Sequence, residues 1–160
     1  MAKLLAALAA SALLLTSLPA RADTILEGSL GSGVTLSPHA GDRVPTNLML
    51  AAGYRLSVFR LELGVVGNLA DVKDARFDLD LRPMLTVKPP LLPVYGRVIA
   101  GVSGLLEGPT ALTWGGALGA RLGLGAGAFL EAGVLSRRIK VDDRHQDAWY
   151  GEGRFGIYWD

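Results

Sequence analysis

The sequence contains no cysteine, which excludes a disulfide framework and a thiolate metal site. An excess of basic charge is also missing, because 16 Lys and Arg residues face 15 Asp and Glu residues. Two of the basic residues, Lys3 and Arg21, lie in the first 22 positions, so the remainder is slightly acidic. This balance argues against a nucleic-acid binder. No segment after Asp23 shows a convincing helical repeat.

The first 22 residues have the pattern of a secretory signal peptide. A basic start at Lys3 precedes a run from Leu4 to Leu18 that is rich in Leu and Ala, and the segment ends in small residues around Ala20 and Ala22. The apolar run is too short to be read as a spanning helix. We therefore predict a cleaved segment, 1–22, followed by one domain, 23–160.

The remaining chain alternates between apolar and polar or small residues, which is typical of strands with two unlike faces. Glycine is enriched, since all 21 glycines lie in this part at roughly twice the average usage. The alternation predicts eight strands: 26–36, 47–56, 59–69, 77–87, 94–103, 112–122, 128–135 and 149–159.

The predicted connections also alternate in kind. Longer polar connections follow the odd-numbered strands, at Ser37–Thr46, Ala70–Arg76, Leu106–Ala111 and Ser136–Asp147. Tight connections follow the second, fourth and sixth strands, around Ser57, at Lys88–Pro93 and at Gly123–Gly127. Lys88–Pro93 is rich in proline, and its place between two strands favours a rigid turn over a proline-rich ligand.

One face of the eight strands carries charge and the other carries none. The charged face holds six acids and six arginines: Glu27, Arg55, Arg60, Glu62, Asp78, Asp80, Arg82, Arg97, Arg121, Glu131, Glu152 and Arg154. Such a balance suits a narrow interior, because buried charges are tolerated when they are paired. We therefore predict that these residues form an interior polar network.

The uncharged face carries aromatic residues near both ends of the strands. Phe77, Trp114 and Trp149 would lie at the outer rim if the domain begins on the periplasmic side. Tyr54, Phe59 and Trp159 would then lie at the inner rim. Two aromatic girdles around an apolar band are expected of a transmembrane barrel.

Alternation alone leaves the direction of the two faces open. A soluble barrel buries its apolar face, whereas a membrane barrel presents that face to lipid. The balanced charges, the aromatic girdles, the small neighbours of the charges and the strand lengths favour the membrane barrel. Closure would also remove unpaired strand edges, which lipid does not tolerate.

With these features the chain resembles the small eight-stranded outer-membrane barrels of Gram-negative bacteria, of the OmpA transmembrane-domain and OmpX type. The last strand, Gly153–Trp159, looks like the aromatic-ended signal that the barrel assembly machinery reads, although Asp160 follows it. Pro83 also departs from the pattern, because proline removes a ladder donor. The resemblance implies an all-β, antiparallel, up-and-down transmembrane barrel in the outer membrane, surrounded by lipid and lipopolysaccharide.

A few residues are candidates for further chemistry. His39 and His145 are predicted to be loop residues. The alternative is a lipid A-modifying site formed by Ser37, His39 and Asp42. We predict no metal site, because metal sites usually need three or four ligands, and assign no cofactor or catalytic residue. The last loop has possible lipopolysaccharide contacts at Arg137, Arg138, Lys140 and Arg144.

The function predicted from the sequence is a structural or surface-interaction role for a monomeric barrel with a closed, salt-bridged interior. A narrow ion-conducting pore and a lipid A deacylase or acyltransferase are the alternatives, because one fold can host many activities.

Overall fold

The computed structural model describes residues 23–37, 46–70, 76–106, 110–124, 126–141 and 144–159. These residues form eight strands and no helix that is long and apolar enough to cross a membrane. The strands are β1 (Asp23–Thr35), β2 (Thr46–Leu56), β3 (Phe59–Ala70), β4 (Arg76–Val87), β5 (Val94–Ser103), β6 (Ala111–Leu124), β7 (Ala126–Val141) and β8 (Arg144–Trp159).

The strands close into an antiparallel barrel in which each strand pairs with the next along the chain. The last strand returns to the first, with Trp159 opposite Leu26 and Tyr150 opposite Thr35. The prediction of an eight-stranded, up-and-down antiparallel barrel is therefore confirmed. The predicted signal peptide lies outside the described residues.

The charged face of the strands points inward and the uncharged face points outward, as predicted from the balanced charges and the aromatic girdles. Glu27, Glu62 and Arg97 are buried in the interior, whereas Leu30, Leu61 and Val98 are exposed on the outer surface, each by more than half. The outside of this barrel is thus its apolar side. A barrel with an oily core and a charged exterior is excluded for this chain.

The two ends of the barrel differ, and we name them by their connections. The turn end carries the short connections after β2, β4 and β6, together with Asp23 and Trp159. The loop end carries the other four connections. There the prediction of a long loop at Ser136–Asp147 is wrong, because β7 and β8 continue as a paired hairpin up to Val141 and Arg144. Alternation weakens in this stretch because it contains consecutive charged residues.

Pro83 leaves the strand register unchanged. It faces Leu63 of β3, and pairing with β5 is the same on either side of it, at Leu81↔Val102 and Met84↔Ile99. Its side chain is exposed on the outer surface. The missing donor therefore interrupts one ladder locally and causes no register change.

An apolar layer lies within the barrel between charged residues. It consists of buried side chains from β2 to β7: Met49, Ala51, Val66, Met84, Ile99, Ala117 and Leu135. These residues share the inward face with the charges, so the interior is not polar throughout.

Candidate functional site

The turn-end cluster comprises five buried charged residues from five strands: Glu27, Glu62, Arg97, Arg121 and Glu131. Arg97 is at its centre. Its guanidinium lies 2.8 Å from Glu27, 3.3 Å from Glu62 and 2.9 Å from Glu131. One planar cation thus bridges carboxylates from β1, β3 and β7, which suits the fork geometry of arginine.

Arg121 supplies the second cation of this cluster. Its guanidinium pairs with Glu27 and lies 3.8 Å from Glu62. The same group sits 5.2 Å from the ring centroid of Tyr95 and 4.4 Å from that of Tyr158. Cation–π contacts of this kind contribute most when they are shielded from water. Gly119 permits the arrangement, because a Cβ atom there would overlap the Tyr95 ring.

Neutral side chains add hydrogen bonds to the turn-end cluster. The Thr86 hydroxyl donates to Glu62 Oε2 at 2.5 Å and accepts from Arg97 Nε at 2.9 Å. The Tyr95 hydroxyl donates to Glu131 Oε2 at 2.9 Å. These bonds matter because a buried charge is costly unless it is both paired and hydrogen-bonded.

The loop-end cluster comprises Asp80, Arg82, Glu152 and Arg154, from β4 and β8. Arg82 lies 3.0 Å from Asp80 and 3.2 Å from Glu152, and Arg154 also pairs with Glu152. Asn47 adds an amide that donates to Glu152 at 2.6 Å. Arg154 lies 4.0 Å from Glu131, so the two clusters are in contact on one side of the barrel.

Twelve charged residues were assigned to the interior network from the sequence, and ten of them are shielded from solvent inside the barrel. Nine are buried, including Arg60 at the turn end of β3, and the Glu152 side chain is 7% exposed. The other two lie near the rims. Arg55 pairs with Asp23 while 38% exposed, and Asp78 accepts backbone hydrogen bonds from Leu79 and Leu106.

The aromatic residues assigned to the rims lie on the outer surface. Phe59, Phe77, Trp114 and Trp159 are each 42–50% exposed. Trp114 and Trp149 meet edge to face, with centroids 5.0 Å apart, across the intervening Ser136. Ser136 faces outward yet is fully buried, because the tryptophans cover it. Tyr54 lies on β2 near the turn end.

The four basic residues assigned to lipopolysaccharide contact do not lie in a loop. Arg138 is on the outer surface, 3.4 Å from Asp147 across the hairpin. Arg137 lies in the inward row between the buried Thr113 and Ala148. Lys140 and Arg144 pair with His145 and Val141 near the hairpin tip, and their side chains lie outside the described part.

The candidate lipid A-modifying site lies largely outside the described residues. His39 and Asp42 are not among them, and the Ser37 hydroxyl accepts a hydrogen bond from the Trp149 amide at 3.1 Å. Within the described ranges, no three His, Asp or Glu side chains are placed to hold a metal ion.

Sequence reasoning missed the neutral members of the turn-end cluster. Tyr95, Tyr158 and Thr86 all fall on the charged face of their strands, but alternation gave no reason to assign them to the network. The available signal was an aromatic residue on an otherwise small or charged face, close to the turn end. Which arginine each ring contacts depends on how the barrel closes.

The fold is that of a small, closed, eight-stranded antiparallel barrel with an apolar exterior and an ion-paired interior. Among solved structures, the chain is similar to neisserial surface protein A, with a TM-score of 0.60 and 15% identity over 86% of this chain and 97% of that one. It is also similar to the N-terminal β-barrel domain of Pseudomonas aeruginosa OprF, with a TM-score of 0.54 and 12% identity over 87% of this chain and 100% of that one. No protein-family model and no curated protein matches the sequence.

Proposed function

We propose that this protein is an integral outer-membrane barrel with a closed lumen and a passive, structural or surface-interaction role in the cell envelope. Residues 1–22 direct its export, and the barrel assembly machinery inserts the domain as a monomer. The turn end faces the periplasm and the loop end faces outward. The likeness in fold to a neisserial surface protein and to the OprF barrel supports this location.

The proposal of a closed lumen rests on one observation, which is that side chains fill the interior of the barrel. Five acidic and five arginine side chains are shielded inside the barrel, and an apolar layer accompanies them. Ion pairs such as Arg97–Glu27 and Arg82–Glu152 join strands across the lumen. An eight-stranded barrel has an interior just wide enough for side chains to fill. Ion passage would require these pairs to separate and the apolar layer to hydrate.

The loop end supports a surface role. Trp114 and Trp149 form an aromatic pair on the outer surface, and Arg138 lies beyond them on the β7–β8 hairpin, 52% exposed at its side chain. Tryptophan suits the boundary between hydrocarbon and headgroups. The proposal includes a contact between Arg138 and lipopolysaccharide phosphates, because arginine is an apt donor to phosphate.

Two experiments test the proposal. First, outer-membrane fractions extracted in detergent are run on gels with and without boiling, and the folded barrel should migrate differently from its boiled form. Recovery from the soluble periplasm with no shift in gel mobility would contradict the location.

Second, conductance is measured in planar bilayers for the wild type and for Glu62→Gln combined with Arg82→Gln. We expect no conductance from the wild type. Steady wild-type conductance would show that the barrel is a pore and not closed.

The enzymatic alternative has a separate measurement. Mass spectra of lipid A from cells with and without the protein should be identical. A change in acyl chains that disappears with Ser37→Ala or His39→Ala would establish a lipid A-modifying enzyme.

A further inference from the structure

The turn between β4 and β5, residues Lys88–Pro93, has a leucine at its tip in an unfavourable conformation. Leu91 has a φ of 68°, in the left-handed region that suits glycine and asparagine rather than a branched apolar residue. Its side chain is fully exposed, and that of Leu92 is 52% exposed. In water this turn would combine backbone strain with exposed apolar surface, so an aqueous setting does not explain it.

The turn is held at both of its ends. The Lys88 amide donates to the Val58 carbonyl at 2.9 Å, and the Arg121 amide donates to the Pro93 carbonyl at 2.7 Å. Three prolines, at positions 89, 90 and 93, restrict the backbone between these bonds. The leucine tip is therefore presented in a fixed position, and little conformational freedom remains to be lost when it docks.

The apolar outer surface of the barrel continues into this turn. Val87 and Val94, which flank it, are exposed by 39% and 48% on the outer face. Val87 is paired with Phe59, an aromatic residue at the turn end. Pro89 lines an apolar groove on the same surface together with Gly96 and Leu118. The medium that covers the barrel wall therefore also meets the base of the turn.

We propose that the Lys88–Pro93 turn is an anchor in the lipid leaflet at the turn end, with Leu91 and Leu92 at the boundary between headgroups and acyl chains. This inference rests on the proposed function, because it requires the outer face to contact lipid. Lys88 adds a cation beside the apolar tip, and its long side chain can extend to lipid phosphates. Lipid is favoured over the pocket of a partner protein because Val87 and Val94, which flank the turn, are themselves exposed on the apolar outer face of the barrel.

The first test asks whether Leu91→Asn lowers or raises the stability of the folded barrel. Asparagine tolerates the left-handed region, so Leu91→Asn relieves strain but removes the apolar contact. Ser57 is the matched control, because it is an exposed turn residue at the same end with a φ of 60°. The full chain is refolded in vesicles of phosphatidylcholine and phosphatidylglycerol and unfolded with urea.

We expect Leu91→Asn to lower the folding equilibrium constant by about tenfold, from the loss of leucine burial. Ser57→Asn should leave the constant unchanged or raise it. An increase for Leu91→Asn similar to that for Ser57→Asn would overturn the anchor, because it would show that the turn lies in water.

The second test measures depth directly and uses the absence of native cysteine. A fluorophore is attached at Leu92→Cys, or at Ser57→Cys as the control, and is quenched by lipids brominated in the acyl chain. Quenching at position 92 should be at least about twofold stronger than at position 57, because turn insertion places that probe closer to the acyl chains. Equal quenching in a barrel that still shows heat-dependent mobility would overturn the anchor alone. A chain with no heat-dependent mobility would overturn the proposed function.

Discussion

The two ionic clusters of the interior are built differently. The turn-end cluster joins charges from β1, β3, β5, β6 and β7, and Arg97 alone contacts three carboxylates. The loop-end cluster uses two strands, and in each strand an acid and an arginine stand two residues apart: Asp80 with Arg82, and Glu152 with Arg154. Both clusters are nearly or fully shielded from solvent.

The difference shows two ways to neutralise charge inside a barrel. Residues i and i+2 share a face of a strand, so the loop-end pairs are largely set within each strand. The turn-end contacts form only when distant strands meet across the lumen. The turn-end cluster should therefore depend on barrel closure and fail cooperatively, whereas the loop-end cluster has local substitutes for a lost partner.

The largest effect is expected for Arg97→Met. This change leaves three buried carboxylates without their shared cation, and breaking a buried pair in this way costs about 3–5 kcal/mol. The measurement is the free energy of unfolding by urea in lipid vesicles. A loss below about 1 kcal/mol, the scale of an exposed ion pair, would show that Arg97 is not the centre of the cluster.

A smaller loss is expected for Arg82→Met, about 2–3 kcal/mol by the same reasoning. Glu152 keeps Arg154 and Asn47 as partners, and Asp80 is the acid most affected. Adding Asp80→Asn should recover part of the loss by removing the stranded charge. The same urea titration applies, and a loss equal to that of Arg97→Met would remove the distinction between the clusters.

Thr86→Val should cost about 1–2 kcal/mol, since it deletes one hydroxyl that both donates to Glu62 and accepts from Arg97. Thr113→Val is the matched control. Its hydroxyl is buried and makes no hydrogen bond within the described residues, so this change should be neutral or stabilising. Equal losses for the two variants would assign the effect to packing rather than to the cluster.

The smallest effect is expected for Arg55→Gln, below about 1 kcal/mol, because its pair with Asp23 is exposed at the rim. Raising the salt concentration should reduce even this difference, whereas the loss for Arg97→Met should persist in salt. A large loss of unfolding free energy for Arg55→Gln that does not respond to salt would mean that the turn-end rim is more shielded from solvent than its geometry indicates.

Particular residues show which parts of the fold could be predicted from the sequence and which could not. With the inward face chosen from the balanced charges and the aromatic girdles, alternation placed Glu62 and Arg97 inside and Leu61 and Val98 outside, because a strand has period two and its neighbours share its faces. It failed at Ser136–Asp147, where charged residues lie on both faces of a hairpin that rises beyond the apolar band. Strand pairing continues there, but the stretch lacks the difference between an apolar and a polar face from which the other strands were predicted.

The sequence by itself determined the number of strands and their order, because these follow from local periodicity and short connections. Its balanced charges and aromatic girdles determined which face of each strand points inward, because periodicity is the same for either direction. Tertiary structure alone decided which charges of the turn-end cluster meet. Glu27 and Arg97 are 70 positions apart, and whether they touch depends on the stagger between strands and on the closure of β8 against β1. Small changes in that stagger would exchange one ionic partner for another without altering the pattern along any strand.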